Sequence, residues 1–345
     1  MLEALEAGQL VVLPTETVYG VAAREDRPEG LERLDALKGQ RTSPYSLAVS
    51  GVDRLLPREA WAGRLAPLSG PSARIAARWW PGPVTQVLPA LSGPDLGVRV
   101  VGLEPVRQLL ERCPAPLLMP SANSSGAPAP RSVDELEADL LEQVAVVVDG
   151  GRTPLGESST VVRPAAAGLQ LLREGVVSRD DLRQHALGAV LVVCSGNTCR
   201  SPMGAALLRD ALAKRAADDP RFLPPPVISA GTWAGSGSEA SHGSQRAMEG
   251  RGLDIAGHRS QGVHPALLAG CDLVLCMTSS HVAAVLELTA ELAPEARPVV
   301  ELFDPRGDEV SDPFGAPDVV YAACADELQT MVGLRVELLC PTPEG

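Results

Sequence analysis

The chain has 345 residues, 45% hydrophobic and 21% charged, with 43 acidic against 30 basic side chains and a formal net charge of −13 at pH 7. That length suits two ordinary domains, each able to bury a core. Divided near Gly188, the chain carries 19 basic against 23 acidic residues before that point and 11 against 20 after it, so neither half has the basic excess of a nucleic-acid-binding surface.

In chain order, Gln9–Leu13 reads as a strand stopped by Pro14, and Glu29–Lys38 as a helix. Leu47–Ser50, Val84–Leu88, Gly97–Val101, Leu117–Met119, Val144–Val148 and Thr160–Val162 are further predicted strands. Helical patterns fall at Ser72–Trp80, Pro105–Arg112 and Ser132–Glu142. This mixture predicts an α/β domain with a mixed twisted sheet over residues 1–187. Ser178 caps a predicted boundary helix, Arg179–Ala186. Over residues 188–345 the pattern becomes regular, with strands at Val190–Val193, Val227–Ser229, Leu273–Met277 and Pro298–Leu302, each followed by a helix. Such alternation predicts a small Rossmann-like domain, a four-stranded parallel sheet with helices on both faces.

The N-terminus, Met1-Leu-Glu-Ala-Leu-Glu6, lacks the basic and apolar regions of a signal peptide, and no apolar run is long enough to span a bilayer. Seven cysteines without framework spacing fit a reducing compartment. The expectation is a cytoplasmic protein with no membrane partner.

Residues 190–203, Val-Leu-Val-Val-Cys-Ser-Gly-Asn-Thr-Cys-Arg-Ser-Pro-Met, carry the strongest chemical signal. A β-branched run ends at Cys194, a tight loop follows, and Pro202 sits where a helix opens. Loop N–H groups and the first helical turn form an anion site. The same donors, with Arg200, favour a thiolate at Cys194, and a thiolate under a bound phosphate is a nucleophile. The planar Arg200 fork suits a phosphoryl group in the transition state.

This stretch resembles the signature of the low-molecular-weight protein phosphatase family. Further landmarks in the family's order are Ser229-Ala-Gly-Thr232, Gly257-His-Arg-Ser260, Asp272-Leu-Val-Leu-Cys-Met277 and Asp312-Pro-Phe-Gly315. The resemblance implies Cys194 as nucleophile, Arg200 as phosphate ligand and Asp312 as general acid. Ser195, Gly196, Asn197, Thr198, Cys199 and Ser201 would form and support the loop, with His258 and Ser229 buttressing Asn197. No cofactor is expected there. Thr198, where tyrosine-specific members usually carry an apolar residue, and the single Phe314 look most like the protein-arginine phosphatase branch; phosphotyrosine is the alternative. Phosphorylated proteins would be the substrates. Cys199, in the same loop as Cys194, also raises a reversible disulfide between the two.

In the first half, Pro14-Thr-Glu-Thr-Val-Tyr-Gly20, Lys38-Gly-Gln-Arg41, Gly97-Val-Arg-Val100 and Pro120-Ser-Ala-Asn-Ser-Ser-Gly126 place hydroxyls, an amide and cations at strand ends, as around a nucleotide and a small polar substrate. Residues 8–180 resemble the Sua5/YciO/YrdC family, whose members make threonylcarbamoyl-adenylate from L-threonine, bicarbonate and ATP for a modified adenosine in tRNA. By that resemblance Thr17 or Thr15 and Arg99 would bind threonine, with Thr160 lining the pocket. Lys38 and Arg41 would meet phosphates or the carboxylate, and Ser121, Asn123 and Arg173 would contact ATP. Mg2+ would accompany ATP, and the product would pass to the tRNA threonylcarbamoyl transferase. The sequence departs from the family pattern at Gln40, which stands where the Arg usually does, at Ala48 and at Ala129. The competing reading joins a protein-tyrosine phosphatase to a non-catalytic nucleotide-binding domain.

Overall fold

A computed structural model describes residues 1–39, 45–55, 65, 67–124 and 126–340. The chain divides into two compact units, one of Met1–Leu68, Ser72–Pro164 and Leu171–His185, the other of Ser69–Pro71, Ala165–Gln170 and Ala186–Gly345.

In chain order the first elements are α1 (Leu2–Glu6), β1 (Val11–Leu13), β2 (Gly20–Arg24), α2 (Pro28–Lys38), β3 (Leu47–Val49), α3 (Gly70–Trp79), β4 (Val84–Leu88) and β5 (Leu96–Val100). Then come α4 (Glu104–Arg112), β6 (Leu117–Leu118), α5 (Ala138–Leu141), β7 (Val146–Val147), β8 (Thr160–Pro164), β9 (Leu169–Arg173) and α6 (Arg179–His185). The strands form a mixed sheet in the order β9-β8-β4-β5-β3-β6-β2-β1-β7. Parallel pairs (β1–β7, β3–β5, β4–β8) are mixed with antiparallel ones (β1–β2, β2–β6, β3–β6, β4–β5).

Strand β1 is apolar throughout because both faces of the sheet are covered. Val11 and Leu13 pack with Leu5 of α1 and Val106, Leu109 and Leu110 of α4. Leu10 and Val12 project the other way, onto Leu34 of α2 and Leu140 of α5. The sequence reading left α1, β2 and β9 unassigned and drew one helix that is broken. Gly20–Arg24 is a strand, although Gly-Val-Ala-Ala has little β propensity, because it lies fully buried between β1 and β6. The expected helix Ser132–Glu142 is broken into a 3-10 turn, Val133–Glu135, and the short α5, since Leu136 and Glu137 are extended (ψ 138 and 140°).

The second unit holds β10 (Ala189–Cys194), α7 (Arg200–Asp218), β11 (Phe222–Leu223), β12 (Val227–Gly231), α8 (His242–Glu249) and α9 (Pro265–Leu268). They are followed by β13 (Cys271–Cys276), α10 (Ser279–Thr289), β14 (Val299–Leu302) and α11 (Asp318–Leu339). A four-stranded sheet runs β12-β10-β13-β14, every pair parallel. Strand β10 splits its side chains by the period of two. Val190, Val192 and Cys194 join a core with Met203, Leu207 and Leu208 of α7 and Leu328 of α11, while Leu191 and Val193 join one with Leu268 of α9 and Val285 of α10. Parallel pairing brings the carboxyl ends of β10, β12 and β13 to one edge, with Cys194 opposite Gly231 and Val193 opposite Cys276. Ligands in open parallel sheets bind at that edge. Among the described residues no helix is long and apolar enough to cross a membrane.

Candidate active sites

Cys194 ends β10, Arg200 opens α7, and five loop residues turn the chain between them. The turn needs a left-handed residue, and Asn197 supplies it at φ 54°, a conformation asparagine tolerates better than most side chains. The fully buried Asn197 amide then ties the loop together. Its Nδ2 donates to Ser201 Oγ (2.9 Å) and Ser229 Oγ (3.0 Å), and its Oδ1 accepts from the Gln261 backbone N–H (2.9 Å). His258 Nε2 donates to the Asn197 carbonyl at 2.6 Å, which fixes the proton on that ring nitrogen. Ser201 Oγ accepts from Asn197 and lies 3.0 Å from Cys194 Sγ, leaving its own proton for the sulfur.

Arg200, only 4% exposed, donates through Nη1 to the Val310 carbonyl (3.0 Å) and through Nη2 to Asp312 Oδ2 (2.5 Å) and, at the limit, Ser195 Oγ (3.5 Å). Its Nε is buried with no partner among the described residues. A buried cationic donor left unmatched is costly, and an oxyanion in the loop would satisfy it. Asp312 is part-exposed, its Oδ1 accepting from the Phe314 N–H (3.2 Å). The Phe314 ring is 76% exposed. The Trp233 backbone N–H donates to the Ser195 carbonyl (3.0 Å), and its side chain is exposed.

Thr198 is half-buried, with its carbonyl accepting from the Ser241 N–H (2.8 Å), and Gly196 is exposed. Cys199 is a buried free thiol, as is Cys194; the Cys199 sulfur sits 3.4 Å from Ser241 Oγ and 3.7 Å from Tyr321 Oη. Sequence reasoning missed Gln261 and His281. Gln261 directly follows the Gly-His-Arg-Ser segment. His281 lies five residues past the end of β13, with Nε2 2.9 Å from Ser195 Oγ.

Gly231 closes the loop from the β12 side. A Cβ there would stand 2.3 Å from the Ser195 oxygen and 2.8 Å from the Asn197 nitrogen, both backbone atoms. Gly231→Ala should therefore displace the loop, costing about 1–3 kcal/mol. A thermal melt alongside a phosphatase assay checks it: both stability and rate should fall.

In the first unit the residues gather in three groups. Thr15 Oγ1 and Thr17 Oγ1 are 2.8 Å apart, and Arg99 Nη2 donates to Thr17 Oγ1 (2.8 Å) and Glu16 Oε1 (2.6 Å). Arg99 Nε donates to the Gly82 carbonyl (3.2 Å), and Glu16 Oε2 accepts from the Gly102 N–H (2.9 Å). Lys38 Nζ donates to the carbonyls of Ser121 and Asn123, each at 2.5 Å, and so binds the loop after β6 to the end of α2. Ser121 Oγ donates to Asn123 Oδ1. The third group surrounds Ser159: Arg173 donates to its carbonyl (2.8 Å) and Thr85 Oγ1 lies 3.1 Å from its Oγ.

Thr160 follows Ser159, but its hydroxyl is fully engaged. It donates to the Val177 carbonyl (2.8 Å) and accepts from the Gly175 and Val177 N–H groups (3.1 and 2.9 Å), which uses its one proton and two lone pairs. The hydroxyl latches the 173–177 turn and has nothing left for a ligand. Arg41 and Gln40 lie outside the described residues.

The sequence model of the Sua5_yciO_yrdC family, described as telomere recombination, matches residues 3–175, half of the chain. That of the low molecular weight phosphotyrosine protein phosphatases matches residues 189–337. A protein-arginine-phosphatase of Geobacillus stearothermophilus is 36% identical over 151 residues, covering 44% of this chain and 95% of that protein. The chain belongs to both families.

For the Sua5/YciO/YrdC half, the threonylcarbamoyl-AMP synthase of Pyrococcus abyssi is 30% identical over 196 residues, covering 52% of this chain. The chain spans only 54% of that synthase's length. For the phosphatase half, the solved structure of the YwlE arginine phosphatase from Geobacillus stearothermophilus has 36% identity and a TM-score of 0.36, covering 44% of this chain and 91% of that one.

Proposed function

We propose that residues 188–345 form a protein phosphatase acting through a phosphocysteine on Cys194, with phosphoarginine as favoured substrate. We propose further that residues 1–187 make L-threonylcarbamoyladenylate from L-threonine, bicarbonate and ATP. The observation that carries the phosphatase reading is one loop that holds both the buried Arg200 Nε, unmatched among the described residues, and the Cys194 sulfur in contact with Ser201.

In the resting site Asp312 occupies Arg200. An incoming phosphoryl group takes over the guanidinium and the loop N–H donors; the released Asp312 carboxylate takes up a proton from solvent and becomes the general acid. The Cys194 thiolate attacks phosphorus in line, the bond from phosphorus to the leaving atom breaks, and Asp312 gives its proton to that atom. Water then attacks the phosphocysteine, Asp312 takes its proton, and inorganic phosphate leaves with the thiolate restored.

Phosphoarginine suits this site because guanidine is so basic that it must depart protonated. The Thr198 hydroxyl can orient the phosphoguanidinium, and the exposed Phe314 ring can stack on its plane. A phosphotyrosine ring would use the same two exposed aromatics, Trp233 and Phe314, without the hydroxyl. Thr198→Ile should therefore shift the phosphoarginine-to-phosphotyrosine ratio of kcat/KM toward tyrosine by about tenfold or more. An unchanged ratio contradicts the arginine preference.

In the synthase half, Arg99 with Thr17 or Thr15 would hold threonine, while Lys38, Ser121, Asn123 and Arg173 would shape the nucleotide side together with Arg41. Mg2+ would accompany the ATP phosphates. The product would go to a tRNA threonylcarbamoyl transferase. Seven free thiols fit reactions in the cytoplasm. Pyrophosphate release that requires both threonine and bicarbonate tests this half; nucleotide binding without turnover would leave it a binding domain.

A further inference from the structure

The first turn of α10 touches both loops that carry the proposed phosphatase chemistry. Glu309 Oε1, three residues before Asp312, accepts from the Ser279 N–H (2.7 Å) and hydroxyl (2.5 Å) at the start of α10. Val310 adds an N–H bond to the Met277 carbonyl (2.9 Å). Two residues past Ser279, His281 is 5% exposed and reaches Ser195, the residue after the nucleophile.

One proton arrangement that closes the hydrogen bonds around His281 leaves its ring neutral. Ser195 Oγ accepts from Arg200 Nη2, so its own proton is free to go to His281 Nε2. The imidazole proton then sits on Nδ1 and goes to Thr278 Oγ1 (2.8 Å), which also accepts from the His281 backbone N–H (3.4 Å). The Thr278 proton is left for Ser280 Oγ (2.8 Å). In this arrangement Ser195 and Thr278 each donate and accept, and the ring is neutral. A second proton, on Nε2, would remove the acceptor for the Ser195 hydroxyl and set a cation near Arg200.

We propose that His281 is a positioning residue for the phosphatase: through Ser195 it steadies the Arg200 guanidinium, and the same helical turn holds the Asp312 loop through Glu309. This rests on the phosphatase reading above. Burial, and after it the Arg200 guanidinium from α7, push His281 below the ordinary imidazole value; Asp312 and Glu309, from the loop before α11, pull the other way. The neutral form therefore prevails near neutrality. Acidification through the His281 ionisation should disorder Arg200 and add a component to the acid side of the rate profile.

The test uses the full chain and p-nitrophenyl phosphate between about pH 5 and 8, where imidazole titrates. Wild type and Cys194→Ser come first; an inactive wild type, or a serine variant as fast as wild type, overturns the phosphatase reading and this inference with it. Given an active wild type and a dead serine variant, His281→Phe should lower kcat about tenfold with a smaller change in KM, the size of effect expected for a displaced catalytic group. His281→Gln, which can still accept from Ser195, should recover most of that rate and lose the His281 ionisation from the acid limb. Histidine NMR of the wild type guards against misfolded variants, since the chain has only five histidines. The His281 ring should titrate below the ordinary imidazole value and respond to bound inorganic phosphate. Unchanged kcat and pH profile in both variants, or a His281 ring that titrates normally and ignores phosphate, overturns the inference alone.

Discussion

Replacing Cys194 by serine should abolish phosphate release, by more than about a thousandfold, while leaving threonine-dependent pyrophosphate release intact. The substitution exchanges sulfur for oxygen at a buried position whose surroundings change little, so the loop held by Asn197, Ser229 and Gln261 should keep its form. What changes is the nucleophile. A serine hydroxyl stays protonated at neutral pH, and no base abuts it: its neighbour Ser201 offers a hydroxyl, and Asp312 is engaged with Arg200. Phosphate binding should survive, because the loop N–H donors and Arg200 remain. Measuring hydrolysis and phosphate binding on one preparation separates lost chemistry from a lost fold.

Arg99→Ala is expected to be the most damaging single change in the synthase half. The Arg99–Glu16 pair is almost enclosed, with side chains 11% and 12% exposed and 2.6 Å between charged atoms. Removing the cation leaves Glu16 with the Gly102 N–H alone and strips Thr17 of its donor. An unpaired carboxylate at such a site should destabilise the fold by about 3 kcal/mol. The same guanidinium is proposed to hold threonine, so the threonine requirement should rise about thirtyfold or more, as losing a charged partner worth about 2 kcal/mol implies. Chemical denaturation and threonine titration of pyrophosphate release read the two effects separately. An Arg99→Ala enzyme with normal threonine dependence would remove Arg99 from the site.

The parts of this account that were legible in sequence are local ones. Strand, turn, helix and the Cys194–Arg200 pair lie within a dozen consecutive residues, so propensity and spacing alone place the thiol at a strand end. The alternation that follows likewise yields a parallel sheet. What stayed hidden depends on partners far along the chain. Thr160 reads as a pocket residue, yet its hydroxyl is consumed by Gly175 and Val177, 15 and 17 positions away. His281 is one histidine in a helix until the β10–β13 register sets the two strand ends side by side, 86 positions apart in sequence at Ser195. Gly20–Arg24 shows the same limit for the fold, since burial between neighbours outweighs a weak local preference.

The claim on which the phosphatase half turns is that phosphorus passes through one sulfur. Rapid mixing of the full chain with a phosphorylated substrate, followed by an acid quench and peptide mass analysis, addresses it directly. A transient phosphoryl adduct on the peptide containing Cys194, absent from Cys194→Ser and longer-lived in Asp312→Asn, is the expected result. Hydrolysis at full rate with no adduct at Cys194, or with the label on another residue, would contradict it.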